Sequence, residues 1–235
     1  MRSAVFVGIA ALLLGCQDKA PMELPSPDFN QLQRYQSANA SLMQKEADSS
    51  RIVLLGNSIT EGWLQASPAF FENEHLVNRG IGGQTSIQML GRFRADVINL
   101  QPQLVVILAG TNDIAGNTGD VSLEEVRDNV ESMVELAKAN GITPLVCSVL
   151  PAADFPWRAG KNPAERIPAL NTLLKEMAEN YQVPYVDYYS AMANTNNGLD
   201  PVWAYDGVHP TAEGYGEMEK VLIPVLDQLL PQWKP

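Results

Sequence analysis

The chain has 235 residues, 46% hydrophobic and 18% charged, with a formal net charge of −11 at pH 7. That length and apolar content suit one α/β domain with a full core. A surface this acidic argues against nucleic acid and strongly anionic polymers as partners.

Residues 1–15 read as a bacterial lipoprotein signal. Arg2 gives a positive start, and residues 4–14 are an apolar run too short to span a bilayer. Leu13-Leu14-Gly15-Cys16 resembles a lipobox, although Leu14 stands where a small residue is usual. The resemblance implies lipid on Cys16, and Gln17 rather than aspartate after it implies passage to the outer membrane of a cell envelope. An ordinary secretory signal with an incidental cysteine is the alternative. With Cys16 lipidated, Cys147 has no disulfide partner and reads as a small core residue. Residues 16–27, with three prolines, read as a tether, and residues 28–235 as a single domain.

A first helix is expected over 29–47, with an irregular apolar face at Leu32, Tyr35, Leu42 and Met43. Residues 51–55, R-I-V-L-L, predict a short buried strand. Gly56 ends it, Asn57 is a turn residue, and Ser58 sits where a helix begins, with Glu61 predicted to complete a capping box. A strand feeding straight into a helix aims the first unpaired helical N–H groups at one spot. A helical turn follows at 68–73, a strand at 75–78, a glycine-rich turn at 80–83, and a helix over 85–100. Residues 104–109, L-V-V-I-L-A, have the unbroken apolar character of a central parallel strand. Ser122 and Glu125 predict a capping box for a helix reaching Asn140 and ended by Gly141. A strand at 142–149, a helix at 163–181 and a strand at 183–186 come next. The last helix spans 211–230, where Pro224 should kink or interrupt it. Five short apolar strands separated by helices predict a parallel sheet covered on both faces.

In such a sheet, ligands bind beyond the carboxyl ends of the strands. Ser58 follows the first strand, Gly80 to Gly83 the second, and Gly110-Thr111-Asn112-Asp113 the third. The loop 150–162 follows the fourth, and Asp206-Gly207-Val208-His209 follows the fifth. Of the two histidines, His75 lies between acidic neighbours and reads as a surface or structural residue. His209 has Asp206 three residues upstream, so one turn could bring the carboxylate to Nδ1 and leave Nε2 to take a proton from Ser58. Asn112 offers an uncharged N–H donor, Gly83 a backbone N–H with no Cβ in the way, and Ser58 its own N–H. Taken singly, these pieces also read as a helix cap, a flexible turn, a polar loop and an Asp-Gly turn.

Together, Gly56-Asn57-Ser58-Ile59, the N-R-G-I-G-G-Q-T run from Asn78, Gly110-Thr111-Asn112-Asp113 and Asp206-x-x-His209 resemble the four blocks of the SGNH (GDSL-type) hydrolases, in family order and spacing. The resemblance implies a three-layer, flavodoxin-like fold with five parallel strands, and a serine esterase mechanism without metal or cofactor. It implies Ser58 as nucleophile, Asp206 and His209 as the rest of the triad, and Ser58, Gly83 and Asn112 as oxyanion donors. Gly83 is chosen over Gly80 and Gly82 because it immediately precedes the polar residue, here Gln84. Two positions depart from the family: Asn57 and Gln84 each stand where aspartate is common.

Other classes find less support. No H-x-H or H-E-x-x-H spacing suggests a metal-dependent phosphoesterase, and G-I-G-G lacks the third glycine of a dinucleotide fingerprint. The expected substrate is a small-molecule or glycan ester with a short acyl group, acetyl foremost. Lysophospholipid or thioester hydrolysis and a non-catalytic glycan-binding lipoprotein are the alternatives. Loop 150–162, with Phe155 and Trp157, is expected to line the acyl pocket and rim together with Trp203. Membrane contact is expected only through the lipid at Cys16.

Overall fold

The apolar run after Arg51 becomes β1 (Ile52–Gly56), the strand from which the sheet extends both ways. The computed structural model of the chain describes residues 28–44 and 50–233; the expected signal, the tether and Cys16 lie outside them. β1 pairs in parallel with β2 (Leu76–Gly80) on one side and β3 (Leu104–Ile107) on the other, so Ile52 faces both Leu76 and Leu104. β4 (Thr143–Cys147) and β5 (Tyr185–Val186) complete the order β2-β1-β3-β4-β5, all parallel. Side chains alternate along each strand: Val53, Leu55, Val105 and Ile107 enter one core, Ile52, Leu54, Leu104 and Val106 the other. Burial on both faces is why these strands read as continuous apolar runs rather than alternating ones.

Helices cover both faces, which makes the three layers expected from the sequence. α1 (Gln36–Met43) precedes the sheet. α2 (Ser58–Ala66) carries Ile59 and Trp63 into the core that holds Ile52. α3 (Ser86–Asp96) carries Met89 and Phe93 into the opposite core, where the short α4 (Thr111–Ala115) adds Ile114. α5 (Leu123–Ala139) and α6 (Pro163–Asn180) finish that layer with Val130, Met133, Ile167 and Leu170. α7 (Tyr188–Met192) and α8 (Ala212–Leu229) finish the other with Tyr188, Met218 and Leu222. Each such side chain, fully buried, contributes about 1.5–3 kcal/mol of transfer free energy. Cys147 is fully enclosed at the end of β4, and burial pushes its thiol pKa up, as suits a core residue. The chain leaves β1 for β2 on one side and later returns to β3 on the other, so the strand order reverses at β1. A crevice for ligands therefore opens beyond the carboxyl ends of β1 and β3.

Several expectations need correction. α1 starts seven residues later than the helix expected from 29 onward, and residues 45–47 of that expectation lie outside the described residues. Tertiary bonds take the carbonyls that an earlier start would need: Gln88 Nε2 donates to Phe29 O (2.8 Å) and Gln84 Nε2 to Asn30 O (3.0 Å). Ser58 and Glu61 form no capping box. Asn57 is the N-cap, accepting from the Ile59 N–H at 2.9 Å, while Glu61 accepts from Gly82 N and Arg34 Nη2, both at 2.8 Å. Pro224 does not interrupt α8. It sits on the exposed side, where the carbonyl it leaves without a donor is open to water. The capping box of Ser122 and Glu125 forms as expected.

The Asn57 cap gives a direct test. Asn57→Ala removes the acceptor and is expected to cost about 1 kcal/mol of stability, whereas Asn57→Asp keeps an acceptor and should hold stability and activity near wild type. Thermal melts and activity measurements on both variants check this; an inactive Asn57→Asp protein would show a further role for the amide.

Candidate active site

The site is assembled where α2 leaves β1. Asn57 turns the chain, so Ser58 becomes the first helical residue and its N–H has no intrahelical acceptor. Its hydroxyl meets the imidazole of His209: Oγ to Nε2 is 2.9 Å. On the far side of that ring, Nδ1 lies 2.7 Å from Asp206 Oδ2. The other carboxylate oxygen, Oδ1, accepts the backbone N–H groups of Val208 (2.9 Å) and His209 (2.7 Å). Burial alone would raise the Asp206 carboxyl, but those N–H groups and the imidazole outweigh it and hold it below the ordinary aspartate value. A carboxylate so held stays ionised through neutral pH and fixes the Nδ1–H tautomer.

The turn bearing Asp206 and His209 is pinned by its flanks. Tyr205 N donates to His209 O (3.2 Å), Thr211 N to Trp203 O (2.9 Å), and Ala204 bridges Pro210. Gly207, at φ +83°, supplies the left-handed residue that closes this turn. His75 sits apart at the amino end of β2, where its carbonyl accepts from Ile52 N.

Opposite His209, the loop after β2 closes on Ser58: a Cβ on Gly82 would lie 3.8 Å from Ser58 Cβ. Most of its amides are occupied. Gly80 N donates to Asn78 Oδ1 (2.9 Å), Ile81 N to Gly56 O (3.1 Å), Gly82 N to Glu61 Oε2 (2.8 Å) and Gln84 N to Ile81 O (3.3 Å). Among the described residues, Gly83 N alone of this loop has no acceptor. Gly83 has φ +77°, and its carbonyl is held at 2.9 Å by Asn117 Nδ2. Asn112 lies in α4 and spends one amide hydrogen on Gln84 O (2.9 Å), which leaves the second to give. Its neighbour Asp113 fastens α4 to the start of α3, accepting Ser86 N at 2.9 Å and Ser86 Oγ at 2.5 Å. Burial raises the Asp113 carboxyl and the Ser86 bonds oppose it.

Sequence reasoning missed Tyr205, which stacks on the His209 ring (centroids 5.8 Å apart, planes 15° apart). Trp157, expected at the rim, lies 6.0 Å from the same ring. Tyr205 is 72% exposed and Trp157 44%. Phe155 was expected at the pocket surface but is fully buried and backs Trp157 from below at 5.4 Å. Trp203 packs against the α7–α8 core rather than standing free at the rim. Among the described residues, no three His, Cys, Asp or Glu side chains gather into a possible metal site.

Set against known proteins, residues 54–216 match the model of the GDSL-like lipase/acylhydrolase family. The crystal structure of a GDSL-like lipase from Bacteroides thetaiotaomicron superposes with a TM-score of 0.82 at 46% identity, covering 86% of this chain and all of that one. The lipoprotein YqeF of Bacillus subtilis is 27% identical over 54% of this chain, a match that spans 59% of that relative's length. Platelet-activating factor acetylhydrolase IB subunit alpha2 of Rattus norvegicus is 27% identical over 69% of each chain.

Proposed function

The chain belongs to the GDSL-like lipase/acylhydrolase family, and from that premise we propose that it is a serine esterase that cleaves short acyl esters, acetyl esters foremost. The observation that carries this reading is the unbroken relay from Ser58 Oγ to His209 Nε2 and from His209 Nδ1 to Asp206, at 2.9 Å and 2.7 Å. Ser58 Oγ attacks the ester carbonyl as its proton passes to Nε2. The carbonyl oxygen, now an anion, takes hydrogen bonds from Ser58 N, Gly83 N and the spare hydrogen of Asn112 Nδ2. Collapse breaks the bond to the alcohol oxygen, which leaves with the proton from Nε2, and the acyl group stays on Ser58. Water then repeats the sequence: its proton goes to Nε2, its oxygen joins the acyl carbon, and the carboxylic acid departs as Ser58 recovers its proton.

Two observations bear on the substrate. A relative bearing the name of an acetylhydrolase supports a small acyl group. The exposed rings of Trp157 and Tyr205 beside His209 support an alcohol part with an apolar face to stack, such as a sugar ring. On p-nitrophenyl esters of increasing chain length, activity should peak at acetyl or butyryl, because each further methylene forgoes about 0.8 kcal/mol of burial and adds a clash. Trp157→Ala and Tyr205→Ala should raise KM for a neutral acetylated methyl glycoside roughly ten-fold while leaving ethyl acetate within about two-fold. A higher kcat/KM on long-chain lysophospholipids than on acetylated sugars would overturn the substrate and leave ester hydrolysis standing.

We place the enzyme on the cell envelope, attached by lipid at Cys16, with residues 16–27 as tether and 28–235 as the catalytic domain. The name of the Bacillus subtilis lipoprotein supports this location, and among the described residues no helix is long and apolar enough to cross a membrane. Cys16→Ser is expected to move the protein from the membrane to the soluble fraction. An intact mass showing an unmodified mature N-terminus would refute lipidation.

A further inference from the structure

Arg92 is a cation with no exposed side-chain surface, and most of its hydrogen bonds go to the strand ends and the loop that frame Ser58. Nη2 donates to Gly56 O and to Arg79 O, each at 2.9 Å. Gly56 ends β1 two residues before Ser58, and Arg79 lies four residues before Gly83. Nε donates to Gln84 Oε1 at 2.6 Å, and Nη1 to Asp96 Oδ2 at 2.9 Å. Gln84, beside Gly83, carries the connection onward, because its backbone oxygen is the acceptor that holds Asn112 Nδ2. One planar guanidinium thus touches the chain leading to each backbone donor and, through Gln84, the side-chain donor.

Stability alone does not explain a charge in this position. Burial disfavours it, Asp96 offsets part of that cost, and apolar residues of similar volume commonly serve a core as well or better. What an apolar side chain cannot do is fix the separation of two carbonyls and an amide in one plane.

The geometry points to Arg92, acting through Gln84, as a positioning residue that sets the spacing of the oxyanion donors Ser58 N, Gly83 N and Asn112 Nδ2. This rests on the esterase reading of the site. A donor displaced by an ångström loses most of its effect on the transition state and little of its effect on the bound ester, so the loss belongs in kcat rather than KM.

Gln84 gives the decisive variants, because Arg92 variants could fail to fold. Gln84→Met keeps the volume and removes the acceptor for Arg92 Nε; Gln84→Glu keeps that acceptor. With folding checked by circular dichroism, Gln84→Met should lower kcat on p-nitrophenyl acetate about 30-fold with KM within about two-fold. Butylboronic acid, which forms a tetrahedral adduct on an active serine, should bind that variant more weakly by a similar factor. Gln84→Glu should recover kcat to within about three-fold of wild type. If Gln84→Met is folded and keeps wild-type kcat and boronate affinity, or if Gln84→Glu is the more damaged of the two, Arg92 has no positioning role. A wild-type protein that neither turns over the ester nor binds the boronate would instead defeat the esterase reading itself.

Discussion

Ser58→Ala and His209→Ala are each expected to lower kcat by about a thousand-fold or more, with His75→Ala near wild type. The two damaging changes remove opposite ends of one proton path, so the double variant should be hardly worse than either single one. Ser58→Ala leaves no oxygen to attack. His209→Ala leaves the hydroxyl with its proton, and no second histidine can substitute, because His75 sits at the amino end of β2 while Ser58 and His209 meet beyond the carboxyl end of β1. Both variants should fold normally, since Ser58 and His209 are only partly buried. A dead His75→Ala enzyme alongside an active His209→Ala enzyme would show the relay to be misassigned.

Asn112→Ala is expected to cost a hundred- to a thousand-fold in kcat with little change in KM. The amide is uncharged, buried and fixed by Gln84 O, so in the proposed mechanism it meets the charge on the ester oxygen without reorganising. The ester in its ground state carries little of that charge and gains little from the donor. Steady-state kinetics on p-nitrophenyl acetate separates the two outcomes: a rise in KM at constant kcat would make Asn112 a substrate-binding residue instead.

Much of this was legible in the sequence because the physics is local there. Strands buried on both faces must be apolar throughout, so β1 and β3 stand out as short unbroken runs. Asp206 and His209 lie within one turn of each other, so their pairing needs no knowledge of the fold. The misreadings arose where distant parts of the chain compete for local groups. Glu61 has the spacing of a capping-box partner, but Gly82 N and Arg34 claim its carboxylate. The carbonyls of Phe29 and Asn30 are claimed by glutamines more than fifty residues away, and the first turns of a helix with only an irregular apolar face give way. α4 spans five residues, too few to show a period. Arg92 and Asp96 have the spacing of an exposed ion pair, and nothing in the sequence says that they are buried. Trp157 and Tyr205 meet His209 only through the fold, although Trp157 lies fifty-two residues from it in the chain and Tyr205 four.

A fluorophosphonate probe tests the nucleophile most directly, since it reacts only with a serine that is both activated and faced by oxyanion donors. After incubation and tryptic digestion, mass spectrometry should find one adduct, on Ser58, absent from Ser58→Ala and nearly absent from His209→Ala. A folded wild-type protein that takes no label, or takes it on a different residue, would contradict the assignment of Ser58 as the catalytic nucleophile.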